Sequence, residues 1–144
     1  MIKNIRHAGI VVNNLDKSLE FYCDILGFEV KKNQLESGKY IDLFLGLENV
    51  RVRTVKLILE NQDMIELLYF HNPHKKAGQA ININNIGCTH IALTVDNLQK
   101  LYDDLAGEGI EFNNPPTKSR DGKAKVAFCK DPDGTFIELV EELS

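Results

Sequence analysis

Two carboxylates lie inside short apolar runs, Glu66 in Met64-Ile65-Glu66-Leu67-Leu68 and Glu138 in Phe136-Ile137-Glu138-Leu139-Val140. Two histidines open other apolar runs, His7 in Ile5-Arg6-His7-Ala8-Gly9-Ile10-Val11-Val12 and His90 in Thr89-His90-Ile91-Ala92-Leu93-Thr94-Val95. Side chains alternate faces along a strand, so Glu66 shares a face with Met64 and Leu68, and Glu138 with Phe136 and Val140. A carboxylate among apolar neighbours needs a partner, because an isolated buried charge is costly. Two imidazoles and two carboxylates are donors that a divalent ion such as zinc or nickel accepts. The alternatives are solvent-facing carboxylates on edge strands and histidines satisfied within a core. The order His, Glu, His, Glu favours a metal site, because both residue types recur at equivalent places in the two halves of the chain.

Setting His7 on His90 brings Val12-Asn13-Asn14-Leu15-Asp16-Lys17 onto Val95-Asp96-Asn97-Leu98-Gln99-Lys100. In each half an apolar strand gives way to an Asn suited to capping a helix. The first helix is expected to bury Leu15, Leu19, Tyr22, Ile25 and Leu26, the second Leu98, Leu101, Tyr102, Leu105 and Ala106. Both spacings suit one buried helical face. Gly27 and Gly109 stand where each helix should stop, and glycine is the easiest residue there. Strands are expected near residues 28–35, 40–45, 50–60 and 64–69, then near 110–112, 123–130 and 135–140. Asp121-Gly122 signals a hairpin, and Asp131-Pro132-Asp133-Gly134 a turn in which Pro presets φ and Gly closes the loop. Each half thus reads as strand, helix and about three strands, an α+β arrangement with Glu66 and Glu138 on the last strands. Residues 70–87, with Asn72-Pro73, Gly78 and little periodicity, read as a linker. His71 and His74 are expected to be exposed loop residues away from the site. The chain is read as one domain, with module one about 1–70, a linker about 71–87 and module two about 88–144.

The totals exclude several classes. At 144 residues, with 43% apolar and 26% charged content, the chain has the make-up of a globular protein. A net charge of −4 and the lack of a long basic stripe argue against nucleic acid as a partner. The strongest basic feature is Arg51-Val52-Arg53 with Lys56, whose alternation suits the outer face of a strand. The three cysteines, Cys23, Cys88 and Cys129, form no C-x-x-C pair, which speaks against a disulfide framework or a cysteine zinc site. A reducing, cytoplasmic compartment fits that usage. Cys88 is expected on the strand face of His90, as a buried structural thiol rather than a group with a minor role near the site. The N-terminus has charge where a signal peptide needs an apolar stretch, and no apolar run approaches the ~20 residues of a membrane span.

These segments together resemble the vicinal oxygen chelate superfamily, the glyoxalase/bleomycin resistance/dioxygenase fold. The resemblance is carried by His7-Ala8-Gly9-Ile10-Val11-Val12, by Leu15-Asp16-Lys17-Ser18-Leu19-Glu20-Phe21-Tyr22 with Leu26-Gly27-Phe28, and by Met64-Ile65-Glu66-Leu67. In the second half it is carried by His90-Ile91-Ala92-Leu93 and Asp131-Pro132-Asp133-Gly134-Thr135-Phe136-Ile137-Glu138-Leu139. It implies two βαβββ modules forming an open, cup-shaped mixed sheet around one divalent metal, with ligands from the first and last strands of the modules. The matching positions are His7, Glu66, His90 and Glu138. The ion is left open among nickel, zinc, cobalt, manganese and iron. A homodimer acting on a small molecule is also implied, with the site built within one chain or across two.

A metal held by such residues binds adjacent substrate oxygens as a Lewis acid and stabilises the enediolate formed when a neighbouring proton leaves. Glu138 is the expected mobile base, with Glu66 as its alternative or partner. The resemblance points first to glyoxalase I (lactoylglutathione lyase), which isomerises a hemithioacetal by proton transfer. Members that use glutathione tend to carry an Arg and an Asn where this chain has Val11 and Phe70; Arg6, Arg51 and Arg53 are the remaining candidates for the arginine's role. A second reading is a methylmalonyl-CoA epimerase-like enzyme, resembled in the Glu-Leu-Leu run and long linker but not in the Asp-Pro-Asp-Gly turn. A third is an extradiol dioxygenase, disfavoured by the fourth ligand Glu66. The last is a non-catalytic drug-binding protein of the same fold, a class that commonly loses some of the four residues.

Overall fold

The computed structural model describes residues 1–76 and 78–144; Ala77, inside the expected linker, lies outside them. The described chain divides into two units, Met1–Gly78 and Gln79–Ser144. The first contains β1 (Ala8–Val11), α1 (Leu15–Leu19) running into a π-helical turn (Glu20–Ile25), β2 (Glu29–Ser37), α2 (Lys39–Leu45), β3 (Arg51–Ile58) and β4 (Met64–Asn72). The second contains β5 (His90–Thr94), α3 (Leu98–Gly107), β6 (Thr117–Lys118), β7 (Ala124–Lys130) and β8 (Phe136–Glu142). The sheet orders are β1-β4-β3-β2 and β5-β8-β7-β6. In each, the first strand pairs in parallel with the last, and the remaining pairings are antiparallel. The α+β class and the internal repeat are therefore as the sequence indicates.

The equivalent signals act alike in both halves. Asn14 caps α1 by accepting from the Lys17 amide at 3.1 Å, and Asn97 caps α3 by accepting from the Lys100 amide at 2.9 Å. The Leu98 amide also donates to Glu141 Oε2 at 2.8 Å, so an acidic side chain of β8 holds the positive end of α3. Gly27 and Gly109 end the helical segments at φ +86 and +83, a region where a side chain is strained.

Burial follows strand alternation. Val55 and Leu57 of β3 and Ile65 and Leu67 of β4 are buried, while Met64, Glu66 and Leu68 are half-buried on the opposite face. In the second unit Ile137 and Leu139 are fully buried, as are Leu98 and Leu105 of α3, which packs on β7 and β8. Each such side chain contributes roughly 1.5–3 kcal/mol relative to exposure. In the first unit the face of Glu66 is also partly apolar, with Val52, Leu68 and Phe70 packed together at one end.

Five expectations need correction. Residues 40–45 form helix α2 rather than a strand. Ile41 anchors it against Val50, Val52, Leu68 and Phe70, and Asp42 accepts from the amides of Asn49 and Val50. Residues 110–112 form no strand: Phe112 makes an isolated bridge to Cys129. Pro115 and Pro116 follow, and proline has no amide to give a ladder; pairing resumes only at β6. The first helix buries Ser18, Phe21 and Tyr22 instead of the full predicted stripe. Its π-helical hydrogen bond, Leu26 amide to Phe21 carbonyl at 3.0 Å, widens the turn and moves the stripe. Cys88 lies before β5 and is half-buried, so it is neither on the strand of His90 nor a core thiol. Strand β4 also runs on through Phe70, His71 and Asn72.

Candidate functional site

The parallel strand pairs bring each histidine to its glutamate. Gly9 of β1 lies opposite Glu66 of β4, and Ala92 of β5 lies opposite Glu138 of β8. In both units the histidine stands two residues before that partner, on the same face. His7 Nε2 is 3.7 Å from Glu66 Oε1, and His90 Nε2 is 3.1 Å from Glu138 Oε2. The same residue types thus meet at the same register twice, which follows from the internal repeat.

The two pairs differ in surroundings. The Glu66 side chain is 15% exposed and that of Glu138 23%, so the latter is the more open to a ligand. Across the antiparallel neighbour, Glu66 faces Lys56 and Glu138 faces Phe128. The Phe128 ring also meets His90 edge-on, with centroids 5.2 Å apart. Neither histidine is a satisfied core residue. His90 is exposed, and the Nδ1 atom of His7 is buried without a hydrogen-bond partner among the described residues. An orphaned buried nitrogen is costly to the fold.

Nitrogen and carboxylate oxygen 3.1–3.7 Å apart suit joint coordination, since metal bonds to such atoms are about 2.0–2.2 Å long. Among the described residues no group of three or more His, Cys, Asp or Glu lies together. Each unit thus brings together one histidine and one glutamate.

The turn that starts β8 is built around Asp131, which is 4% exposed. Its Oδ1 accepts from the amides of Asp133 and Thr135, both at 2.9 Å. Its carbonyl accepts from the Gly134 amide at 3.0 Å, with Gly134 at φ +87. The Asp-Pro-Asp-Gly signal therefore positions the strand that carries Glu138.

Other candidates fall away from this face. Tyr69 is on the face of β4 opposite Glu66, and its ring meets that of His71 4.8 Å away. Partial burial, then the charges of Arg51 and Arg53, push His71 below the ordinary histidine value. His71 belongs to a strand, not a loop; His74 lies beyond it, with Nδ1 2.9 Å from the Phe70 carbonyl. Arg53 donates to Asn33 Oδ1 at 2.8 Å. Lys56, read from sequence as part of the same outer face as Arg51 and Arg53, instead lies opposite Glu66. Its parity with Glu66 across β3 and β4 was the signal available for it.

A family model described as the Glyoxalase/Bleomycin resistance protein/Dioxygenase superfamily matches residues 4–139. The chain belongs to that superfamily. A probable lactoylglutathione lyase of Synechocystis sp. is 33% identical to this glyoxalase-superfamily chain over 139 residues, covering 96% of it and 95% of the relative. A lactoylglutathione lyase of Schizosaccharomyces pombe is 34% identical over 149 residues, and the chain spans 47% of that longer protein. A glyoxalase family protein of Bacillus cereus shares the fold with a TM-score of 0.91 at 20% identity, over 100% of this chain and 97% of that one. Among the described residues no helix is long and apolar enough to cross a membrane.

Proposed function

We propose that the chain is a divalent-metal-dependent lyase of glyoxalase I type, which isomerises the hemithioacetal of a 2-oxoaldehyde and a thiol by moving a proton between adjacent carbons. The observation that carries this reading is the His–Glu pair repeated at one register in both units. Relatives named lactoylglutathione lyase at about one-third identity support it. The proposed metal ligands are His7 and Glu66 of the first unit and His90 and Glu138 of the second. The His/Glu donor chemistry fits such an ion, with an imidazole Nε2 beside a carboxylate oxygen in each pair. When bound, a divalent ion supplies Lewis acidity toward the substrate's oxygens.

The residues have distinct roles in this proposal. Glu138, the more open carboxylate, takes the substrate proton and returns it to the neighbouring carbon. His90, 3.1 Å away, holds that carboxylate in place. Glu66, more enclosed and beside His7, is its partner or alternate base. Phe128, packed on His90, limits water on that side of the pair. The protein is proposed to be cytoplasmic and to act as a homodimer; light scattering of the purified protein tests the dimer.

The test is elemental analysis of untagged protein, beside Glu66→Ala with Glu138→Ala, followed by a substrate panel. The expected result is a divalent ion in the wild type, its loss in the double variant, and turnover of methylglyoxal with glutathione or another small thiol. Turnover of methylmalonyl-CoA instead would transfer the same site to epimerisation. No metal after dialysis against nickel, cobalt and zinc would overturn the enzyme reading and leave a binding protein.

A further inference from the structure

The first unit contains a cavity of about 420 Å³ lined by Asn4, Arg6, Lys31, Lys32, Lys56 and Met64. Four of its six lining residues are cations, in a chain whose net charge is −4. Among the described residues none of the four makes an ion pair. The volume is that of a small-molecule site.

Two features of the backbone concentrate this charge. Strand register places Lys32 opposite Lys56, and Lys56 opposite Glu66, so the three side chains form a row across β2, β3 and β4. Strict alternation would then send Lys31 to the other face of β2. The register of β2 shifts between Val30 and Lys32, leaving Lys31 as the extra residue of a β-bulge. Both Lys31 and Lys32 consequently line the cavity, which is what a bulge achieves when it re-aims a side chain. Arg6 enters from the segment that leads directly into His7.

We infer that this cavity binds the anionic end of a small molecule through two or more carboxylate or phosphate groups. Identifying that molecule as the substrate rests on the proposed function, whereas the affinity for polyanions does not. Neighbouring strands are about 4.8 Å apart, so a ligand held at Lys32 reaches the His7–Glu66 pair across roughly 10 Å. A single exposed ion pair is worth little, and Arg6, Lys31 and Lys32 are exposed. The ligand must therefore engage several cations at once, which selects multiply charged molecules. It also provides an anchor unlike the arginine and asparagine positions occupied here by Val11 and Phe70.

The test is an NMR titration of the full chain, as purified, with inorganic phosphate and with tricarballylate. The expected result is saturable movement of the amide signals of Lys31, Lys32, Lys56 and Met64. Lys32→Gln with Lys56→Gln should weaken the tighter anion by about tenfold or more, while the control Lys75→Gln with Lys76→Gln should change it by less than about twofold. Arg6→Gln, at an exposed position, repeats the test if the double variant folds poorly. The preferred probe distinguishes a carboxylate from a phosphate ligand. Absence of saturation by either anion up to about 10 mM, or equal weakening in the control, overturns the inference. His7→Ala separates the two readings: it removes a proposed metal ligand and should leave anion binding in place.

Discussion

Replacing Asp131 should loosen the start of β8 by an amount that the hydrogen bonds define. In Asp131→Ala the amides of Asp133 and Thr135 lose one shared acceptor. Bonds to a charged group contribute about 1.5–3 kcal/mol each. Both donors are part-buried, so water recovers some of the loss and the lower figure applies, giving a cost of ~3 kcal/mol. With a urea slope of about 1.5 kcal/mol per molar, the unfolding midpoint of the second unit should fall by ~2 M. Asp131→Asn keeps an acceptor but loses the charge, which roughly halves the bond strength, so its midpoint should fall by ~1 M. Labelling of Cys129, fully buried in the same unit, follows that transition in urea. A shift below about 0.5 M for the alanine variant, or an asparagine variant as damaged as the alanine one, would refute the assignment of this carboxylate as the turn's organising acceptor.

Burial, then the charge of Asp131, pushes the Cys129 thiol up to about 12 from 9.0. The unfolded chain therefore loses this proton first as pH rises, and stability is complete below about pH 9 and declines between there and about pH 12. Urea midpoints at about pH 8 and pH 10.5 should fall less in Cys129→Ala than in the wild type. In the first unit, Ile41→Ala removes the side chain that anchors α2 on Val50, Val52, Leu68 and Phe70. A cost of about 2–3 kcal/mol is expected, read as faster amide exchange across α2; unchanged exchange there would show that Asp42 alone holds the helix.

The sequence revealed those features for which one residue type has one structural use. Asn14 and Asn97 cap helices, Gly27 and Gly109 stop them, and Asp131 to Gly134 turn the chain. The strand alternation around Glu66 and Glu138 was equally legible, because apolar neighbours on one face must be buried. Helix α2 was missed because it is short and buries only Ile41, so its apolar residues carry no helical stripe. Its signals were Asp42 and the left-handed Gly46 at φ +64. The bulge at Lys31 has no local signature, since it depends on the pairing of β2 with β3. The basic run reads as one outer face carrying Arg51, Arg53 and Lys56, whereas the partner of Lys56 across the strand is Glu66.

The parallel closure of each unit has a consequence for the order of events during synthesis. His7 leaves the ribosome among the first residues of its unit, and Glu66 emerges only after β2, α2 and β3 have been made. The same holds for His90 and Glu138 in the second unit. Contacts between the ends of a long segment form late, because the intervening chain must first be closed into a loop. A nascent or prematurely ended unit therefore displays a histidine with no carboxylate opposite it. Whatever requires both side chains is captured only by a finished unit, so that each pair certifies the completion of its own sheet.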